Sequence, residues 1–221
     1  MVDLYKSDVF ETLDFCSKEA WRTARINGIG GSDAAAAIGR SKWMSMYDLW
    51  QIKMGLKEQE DISEKPAVKY GTEAEEPLRQ LFCLDHAGEY EVQYQPNTTL
   101  VNVEYPFMTY SPDGLMINLE TGEKGIYEGK TTTLHRKEDW REWTDQIPDN
   151  YYIQVLHGLN VTGYDFAIVH AQIKWLDTAY RKEYLIKRTE HIESLEFEFE
   201  EVKKFHELVE SGTPPQISMS I

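Results

Sequence analysis

Three ionisable residues, Asp113, Glu128 and Lys130, have a spacing suited to metal-dependent hydrolysis of a phosphodiester. They lie in the stretch SPDGLMINLETGEKGIYEGK. Two neighbouring carboxylates repel each other unless a cation lies between them, and Mg²⁺ binds a few carboxylates while keeping water for chemistry. The alternative is an ordinary β-hairpin with solvated charges, because Pro-Asp-Gly is common turn chemistry.

A hairpin would bring the three side chains together. Glu128 and Lys130 are two residues apart in the β-branched and aromatic run IYEGKTTT, so on a strand they share one face. We expect a two-residue turn at Thr121-Gly122. In that register Asp113 lies opposite Lys130 and diagonal to Glu128, about 7–8 Å away between Cα atoms, so the side chains can meet.

Two further residues could complete such a site. Gly129, between the acid and the lysine, could offer its backbone carbonyl as a ligand. A long helix is predicted from Pro66 to about Ala87, and Glu75 lies on its apolar face, which is formed by Val68, Gly71, Ala74, Leu78 and Phe82. A carboxylate on a buried face is costly unless it is paired or bound to metal. A glutamate at the edge of that face could instead reach water.

The segment RTARINGIGGSDAAAAIG could bind an anion. Two glycines lead into a helix for which Ser32 or Asp33 is the expected N-cap and Gly39 the expected end. A helix N-terminus presents free N–H groups to an anion, and Arg25 could add a bidentate phosphate contact. A routine N-cap after a flexible turn is the alternative.

The remaining elements must position these residues. The run DNYYIQVLHGLNVTG predicts a helix closed by Gly163, and RKEYLIKR alternates as an edge strand does. Other strands are predicted at YEVQYQP, TLVNVE, FMTYS and DFAIVHAQI. Helices, strands, a helix, strands and a helix follow one another along the chain. This order predicts a mixed α+β (α/β) fold with a central mixed β-sheet flanked by helices.

The composition is that of a folded globular protein with an acidic surface. Hydrophobic residues make up 41% of the 221 residues, enough for a single domain over residues 1–221. A C-terminal helix at about 189–211 is rich in glutamate and contributes to the net charge of −15. That charge argues mildly against nucleic acid, since DNA-binding domains are usually basic. Basic residues near Arg25 and Lys130 nevertheless allow a local positive cleft.

A membrane or secreted protein is not expected. No apolar run approaches the ~18 residues of a membrane span. The start, MVDLYKSDVFETLDF, has acidic residues where a signal peptide would be basic and then apolar. The two cysteines, Cys16 and Cys83, have the spacing of neither a disulfide framework nor a metal site. We therefore expect a cytoplasmic protein without a membrane partner.

Five segments, taken in order, resemble the YqaJ-type viral recombinase family of PD-(D/E)XK nucleases, to which phage lambda exonuclease belongs. They lie between about Ala20 and His157 and read AWRTARINGIGGS, YGTEAEEPLRQLF, SPDGL, EGK and YIQVLH. The ordered set is much more specific than any one motif. The resemblance implies a restriction-endonuclease-like core and a 5′-to-3′ exonuclease of double-stranded DNA. It also implies Mg²⁺ as cofactor, with Mn²⁺ as a substitute.

The resemblance assigns a role to each metal-site residue. Asp113 and Glu128 would hold Mg²⁺ together with the carbonyl of Gly129. Lys130 would position and help to activate the attacking water. Glu75 would serve a second metal position, directly or through water.

The resemblance also implies how DNA is held. Arg25 and Ser32 would form the pocket for the 5′-phosphate of a DNA end, and Arg136 would add another phosphate contact. Gln154 would lie near the active site. Members are similar in forming a ring-shaped homotrimer, and they usually act beside a single-strand annealing protein in phage or prophage recombination in a bacterial cell.

The sequence departs from the family pattern at two places. Gly129 replaces a bulkier residue, which matters little if only its carbonyl is used. The loop IGRSKWMS is shorter than the DNA-contacting loop of lambda exonuclease, so the wedge role is not carried over to Arg40. Two other functions stay open. One is a structure- or sequence-specific endonuclease on the same core, and the other is an inactive DNA-end-binding protein, although a binding module has no need of clustered acids that repel DNA.

Overall fold

The computed structural model describes residues 2–216. Met1 and residues 217–221, which belong to the domain predicted over residues 1–221, lie outside the described residues. Its strands are β1 Phe10–Asp14, β2 Tyr90–Gln93, β3 Thr98–Asn102, β4 Thr109–Tyr110, β5 Gly114–Asn118, β6 Lys124–Leu134, β7 Phe166–Trp175 and β8 Thr178–Lys187. Five of them form a sheet in the order β2-β5-β6-β7-β8, and three form a smaller sheet in the order β1-β3-β4. Of the strand pairs within residues 2–216, β6 with β7 is the one that is parallel.

Helices cover both faces of the five-stranded sheet. They are α1 Lys18–Ala24, α2 Gly31–Ala37, α3 Met46–Lys53, α4 Pro66–Asp85, α5 Asp149–Thr162 and α6 Ile192–Glu210. Phe82 of α4 packs on Tyr127 of β6, with 5.0 Å between ring centroids. The next residue, Glu128, points to the opposite face and contacts Gln154 of α5. The predicted fold class, a central mixed sheet flanked by helices, is confirmed.

Most predicted element ends are also confirmed. Pro66 is in the first turn of α4. Gly163, with a φ of 71°, ends α5 in the left-handed conformation. The strand predicted as an edge strand is β8, which is the last strand of its sheet. The acidic helix predicted at about 189–211 is α6, which buries Leu195 and Val202, among others, toward the core.

The predicted hairpin turn at Thr121-Gly122 is wrong. β5 and β6 pair with Gly114 opposite Tyr127, and four residues, 119–122, connect Asn118 to its partner Glu123. The Asn118 side chain accepts hydrogen bonds from the backbone N–H groups of two of these four residues, which stabilises the longer loop. In the observed register Asp113 faces Glu128 and not Lys130. The shift is by two residues, and an even shift preserves the faces.

The predicted N-cap of α2 at Ser32 or Asp33 is also wrong. The cap is Gly30, and Asp33 lies one turn inside the helix, where its carboxylate accepts a 3.1 Å hydrogen bond from the Gly30 N–H. Asp33 thus serves the helix start from within, as the acidic member of a capping box does. Within residues 2–216, no helix has the length and apolar character needed to cross a bilayer.

Candidate active site

Glu128 is the centre of a buried hydrogen-bond network on the α5 face of the sheet. Lys130 Nζ lies 2.6 Å from Glu128 Oε1, and the Gln154 amide donates to the same oxygen at 2.5 Å. The Tyr110 hydroxyl donates to the other carboxylate oxygen. Glu128 is 1% exposed, whereas the Lys130 side chain keeps 15% exposure. Lys130 is therefore the more exposed member of this ion pair.

Asp113 is held at the point where β5 begins. Its carboxylate accepts a 2.9 Å hydrogen bond from the Gly129 N–H, and its backbone carbonyl accepts one of 3.0 Å from Arg79 of α4. The Gly129 carbonyl points to the same side as its N–H, because both groups of a strand residue face one neighbouring strand. The ladder between β5 and β6 ends at Gly114 and Tyr127, and continued in the same register it would put Pro112, which has no N–H to donate, opposite Gly129. The carbonyl is thereby available to another partner, such as a metal ion.

Tyr110 reaches Glu128 because two glycines make room for its ring. A Cβ at Gly31 of α2 would lie 2.8 Å from the Tyr110 ring, and a Cβ at Gly158 of α5 would lie 2.6 Å from it. Real Cβ atoms essentially never approach that closely. Glycine at these two positions therefore allows α2 and α5 to close on the buried tyrosine, which fixes one oxygen of Glu128.

The electrostatics of the cluster favour a bound cation. Burial raises the pKa of Asp113 well above its ordinary value, and the Glu128 carboxylate raises it further. Burial also raises the pKa of Glu75, with Lys130 acting in the opposite direction. Burial by itself lowers the pKa of Lys130, but the carboxylates of Glu128 and Asp113 outweigh it, so that pKa is raised. The raised pKa values of Asp113 and Glu75 mean that ionising these carboxyl groups is costly here, and a divalent cation between them would offset that cost.

The donor set fits a hard cation held by few protein ligands. Asp113, Glu128 and the Gly129 carbonyl offer oxygen atoms, which Mg²⁺ prefers. Glu75 is close enough to affect the pKa of Asp113. Over residues 2–216, however, no three His, Cys, Asp or Glu side chains converge as a complete metal site. The role of Glu75 at a second metal position, directly or through water, stays a prediction.

The predicted phosphate pocket has two of its three residues in contact. Arg25 Nη2 lies 2.8 Å from Ser32 Oγ, and its guanidinium stacks over Trp21 at 4.6 Å from the ring centroid. Trp21 in turn donates a 3.1 Å hydrogen bond to Ser111, two residues before Asp113. Arg25 is therefore linked, through Trp21, to the segment that leads into Asp113.

Lys53 of α3 holds the turn that carries this pocket. Its ammonium group donates to the Gly28 carbonyl at 2.5 Å and forms a 2.8 Å ion pair with Asp33. The side chains of the pair are 7% and 17% exposed. An ion pair shielded to this degree restrains the backbone between Arg25 and Ser32.

Arg136 does not join the other predicted site residues. It is exposed, lies beyond the end of β6 at Leu134 and directly precedes a 3₁₀-helix at Lys137–Trp143. Among the described residues, its side chain makes no hydrogen bond or ion pair with the cluster. A phosphate contact by Arg136 would have to be made farther along the DNA.

Sequence reasoning missed several residues that support the site. Tyr110, Arg79 and Lys53 act through contacts with residues far away in the chain, and no local spacing indicates them. Trp21 and Ser111 lie within the motifs AWRTARINGIGGS and SPDGL, and a Trp followed by an Arg one helical turn later was the available signal.

Comparison with known proteins gives one family and one relative. Residues 20–165 match the family described as the YqaJ-like viral recombinase domain. The relative is the "Uncharacterized protein YqaJ" of Bacillus subtilis (strain 168), which is 29% identical over 163 residues. The aligned region makes up 73% of this chain and 47% of that protein, so the chain spans about half the length of the curated relative it matches.

Solved structures share the fold. The alkaline exonuclease LHK-Exo from Laribacter hongkongensis superposes with a TM-score of 0.63 at 18% identity, covering 89% of this chain and 94% of that chain. LHK-Exo in complex with dAMP superposes with a TM-score of 0.62 at 17% identity, with the same coverage. At these identities the comparison shows a common fold.

Proposed function

The chain belongs to the YqaJ-like viral recombinase domain family, and on that premise we propose that it is a Mg²⁺-dependent deoxyribonuclease. It digests linear duplex DNA from 5′-phosphorylated ends in the 5′-to-3′ direction, for recombination of the phage or prophage type. The observation that carries the proposal is the cluster of Asp113, Glu128 and Lys130, in which buried carboxylates exceed the available positive charge.

The residues of the chain have distinct tasks in this reaction. Asp113, Glu128 and the Gly129 carbonyl would hold Mg²⁺, which when bound supplies Lewis-acid activation of water and of the phosphoryl oxygens. Lys130, whose side chain is partly exposed, orients the attacking water and neutralises charge that develops on the phosphate. Gln154 and Tyr110 hold the Glu128 carboxylate in one orientation. Water attacks the first phosphodiester of the 5′ end, releases a 5′-mononucleotide and leaves a 3′ overhang.

Two further observations support the choice of substrate. A structure with the same fold, LHK-Exo, was solved in complex with dAMP, which is a mononucleotide of the kind this reaction releases. The Arg25 guanidinium contacts the Ser32 hydroxyl, a combination suited to a terminal phosphate, and Arg25 is linked through Trp21 to Ser111, two residues before Asp113.

Digestion of linear and of circular duplex DNA with Mg²⁺, or with Mn²⁺ in its place, tests the proposal. The linear form is expected to lose nucleotides from its 5′ ends, whereas covalently closed circles persist. Cutting of the closed circle would favour the structure- or sequence-specific endonuclease. Tight binding to ends without hydrolysis under either cation would favour the inactive end-binding protein.

The assembly and setting belong to the same proposal. We infer a ring-shaped homotrimer that works with a single-strand annealing protein in the cytoplasm of a bacterial host. A ring can keep positive potential on its inner surface despite the net charge of −15 of each chain. Analytical ultracentrifugation with and without a short duplex measures the number of subunits, and a monomer under both conditions would contradict the ring.

A further inference from the structure

Trp43 is an exposed aromatic residue on the loop between α2 and α3. Its side chain is 71% exposed, and within residues 2–216 its indole N–H has no hydrogen-bond partner. An exposed apolar side chain is unremarkable by itself. The position of Trp43 is what distinguishes it, because its ring lies beside that of Tyr151, which in turn lies beside Lys130.

The loop presents Trp43 in a fixed place. Ser41 Oγ accepts hydrogen bonds from the backbone N–H groups of Trp43 and Met44, at 3.1 and 3.2 Å. Lys42, the residue before Trp43, forms a 2.7 Å ion pair with Glu142 of the 3₁₀-helix at Lys137–Trp143. These contacts restrain the backbone on both sides of Trp43. Less conformational freedom is therefore lost when its indole binds a ligand.

An aromatic contact connects Trp43 to the cluster. Its ring centroid lies 6.1 Å from that of Tyr151, and the Tyr151 ring lies 5.2 Å from Lys130 Nζ. The distance from the Trp43 ring centroid to Lys130 Nζ therefore cannot exceed the sum of these two distances. Successive bases in one strand rise by about 3.4 Å. The indole is thus within reach of bases a few nucleotides from the scissile phosphate.

We propose that Trp43 is a base-stacking residue, whose indole takes one nucleobase of the DNA substrate within a few nucleotides of the scissile phosphate. Every base has a π-face, so the contact fits an enzyme that digests DNA of any sequence. Arg40, three residues before Trp43, adds the positive charge that usually accompanies such aromatic platforms, whereas the charge of Lys42 is paired with Glu142. This inference rests on the proposed function, because it assigns DNA to the same site.

The test combines a protein change with a DNA change. Binding of a 5′-phosphorylated duplex is measured by fluorescence anisotropy, with Ca²⁺ in place of Mg²⁺ so that the DNA stays intact, for wild type, Trp43→Ala and Trp43→Phe. Trp43→Ala is expected to weaken binding about tenfold, the effect of losing one base–aromatic stack, and Trp43→Phe to retain most of the affinity. Leu84→Ala is the matched control, since Leu84 is 72% exposed but lies at the far end of α4 from Glu75.

An abasic nucleotide placed at successive positions near the end then identifies the stacked base. At one position it should weaken wild-type binding about as much as Trp43→Ala does, and it should have little further effect in that variant. Equal abasic penalties in wild type and Trp43→Ala would overturn the stacking proposal. Coupling at one position without hydrolysis in Mg²⁺ would leave the stacking intact and overturn the nuclease proposal. Absence of any duplex binding would overturn both.

Discussion

The Gln154 amide and the Lys130 ammonium donate to the same oxygen of Glu128, at 2.5 and 2.6 Å. Two donors on one carboxylate oxygen fix the plane of the carboxylate, and the hydroxyl of Tyr110 holds the second oxygen. The three donors come from different elements, α5, β6 and β4. The orientation of Glu128 therefore depends on the packing of the whole core and not on the β6 strand alone.

Gln154→Ala is expected to lower the rate of DNA hydrolysis roughly tenfold or more and to leave the protein folded. A hydrogen bond to a charged group contributes about 1.5–3 kcal/mol, and its loss frees the Glu128 carboxylate to rotate. Initial rates on linear duplex measure the effect. Gln80→Ala is the control, since Gln80 donates only to the exposed Glu76. Equal rates for the two variants would show that Gln154 does not position Glu128.

Asp113→Ala, Glu128→Ala and Lys130→Ala are each expected to lose on the order of a hundredfold or more in rate. Calorimetric titration with Mn²⁺ should separate their roles. Metal binding weakens in the first two variants, which lose a ligand, and survives in the third, which loses only a competing positive charge. Glu123→Ala, an exposed acid in the same hairpin, should behave as wild type. Activity of Asp113→Ala within about tenfold of wild type would remove Asp113 from the metal site.

Much of this site could be read from local sequence patterns. The spacing of Glu128 and Lys130 fixes a shared face on any strand, and the Pro-Asp-Gly turn fixes where β5 starts. The error in turn length did not matter, because a shift by two residues keeps Asp113 on the same face. The start of α4 at Pro66 and the end of α5 at Gly163 could be predicted, because proline and glycine restrict or free the local backbone whatever the tertiary packing.

The supporting contacts could not be read in this way, because they join distant segments. Lys53 contacts the Gly28 carbonyl and the Asp33 carboxylate, which lie 25 and 20 residues earlier in the chain. Tyr110 belongs to the three-stranded sheet and donates to Glu128 of the five-stranded sheet. The role of Asp33 was misread because a helix-start acid can cap from the first residue or from inside the first turn. For Lys53 and Tyr110 the partner is chosen by tertiary packing, whereas for Asp33 two local capping arrangements are compatible with the same sequence.

Gly158→Ala is expected to destabilise the protein by about 1–3 kcal/mol and to reduce activity, because the new methyl group would collide with the Tyr110 ring. Gly71→Ala is the matched control, since Gly71 also lies within a helix and a methyl group added there would have as its nearest neighbour the Thr131 hydroxyl, at 3.3 Å. There the gain in helix propensity of up to about 1 kcal/mol should leave stability equal or raised. Urea unfolding measures both, and indistinguishable midpoints would contradict the packing argument.

The buried pair of His157 and Glu198 is expected to make stability depend on pH. His157 Nδ1 lies 2.8 Å from the Glu198 carboxylate, and Nε2 lies 2.9 Å from the Ile29 carbonyl. Both partners accept hydrogen bonds, so the imidazole carries two protons. Burial by itself lowers the pKa of His157, but the Glu198 carboxylate outweighs it and leaves that pKa raised.

Because the pKa of His157 is raised in the folded protein, its contribution to the free energy of unfolding decreases as the pH rises. The contribution of His157 is fully present below about pH 6.5, the ordinary pKa of histidine, and is lost as the pH rises through the raised folded value. The difference in free energy of unfolding between wild type and His157→Gln should therefore narrow as the pH is raised from 6.5. Substitution of the exposed His135 by Gln serves as the control. A difference that stays constant or widens over this range would show that His157 is neutral in the folded protein.

Arg25→Ala is expected to abolish most of the preference for 5′-phosphorylated ends while leaving metal binding intact. Arg25 stacks on Trp21 and contacts Ser32, so its guanidinium is aligned before DNA binds. A terminal phosphate carries about one more negative charge than an internal diester, and a guanidinium responds to that charge with hydrogen bonds of roughly 1.5–3 kcal/mol each. Wild type should therefore cut a 5′-phosphate end on the order of ten- to a hundredfold faster than a 5′-hydroxyl end. Initial rates on two linear duplexes that differ only in this group measure the preference, with Arg22→Ala, three residues earlier in α1, as the control. Equal rates on both ends in wild type, or shortening of the strand from its 3′ terminus, would show that Arg25 does not select the end from which digestion starts.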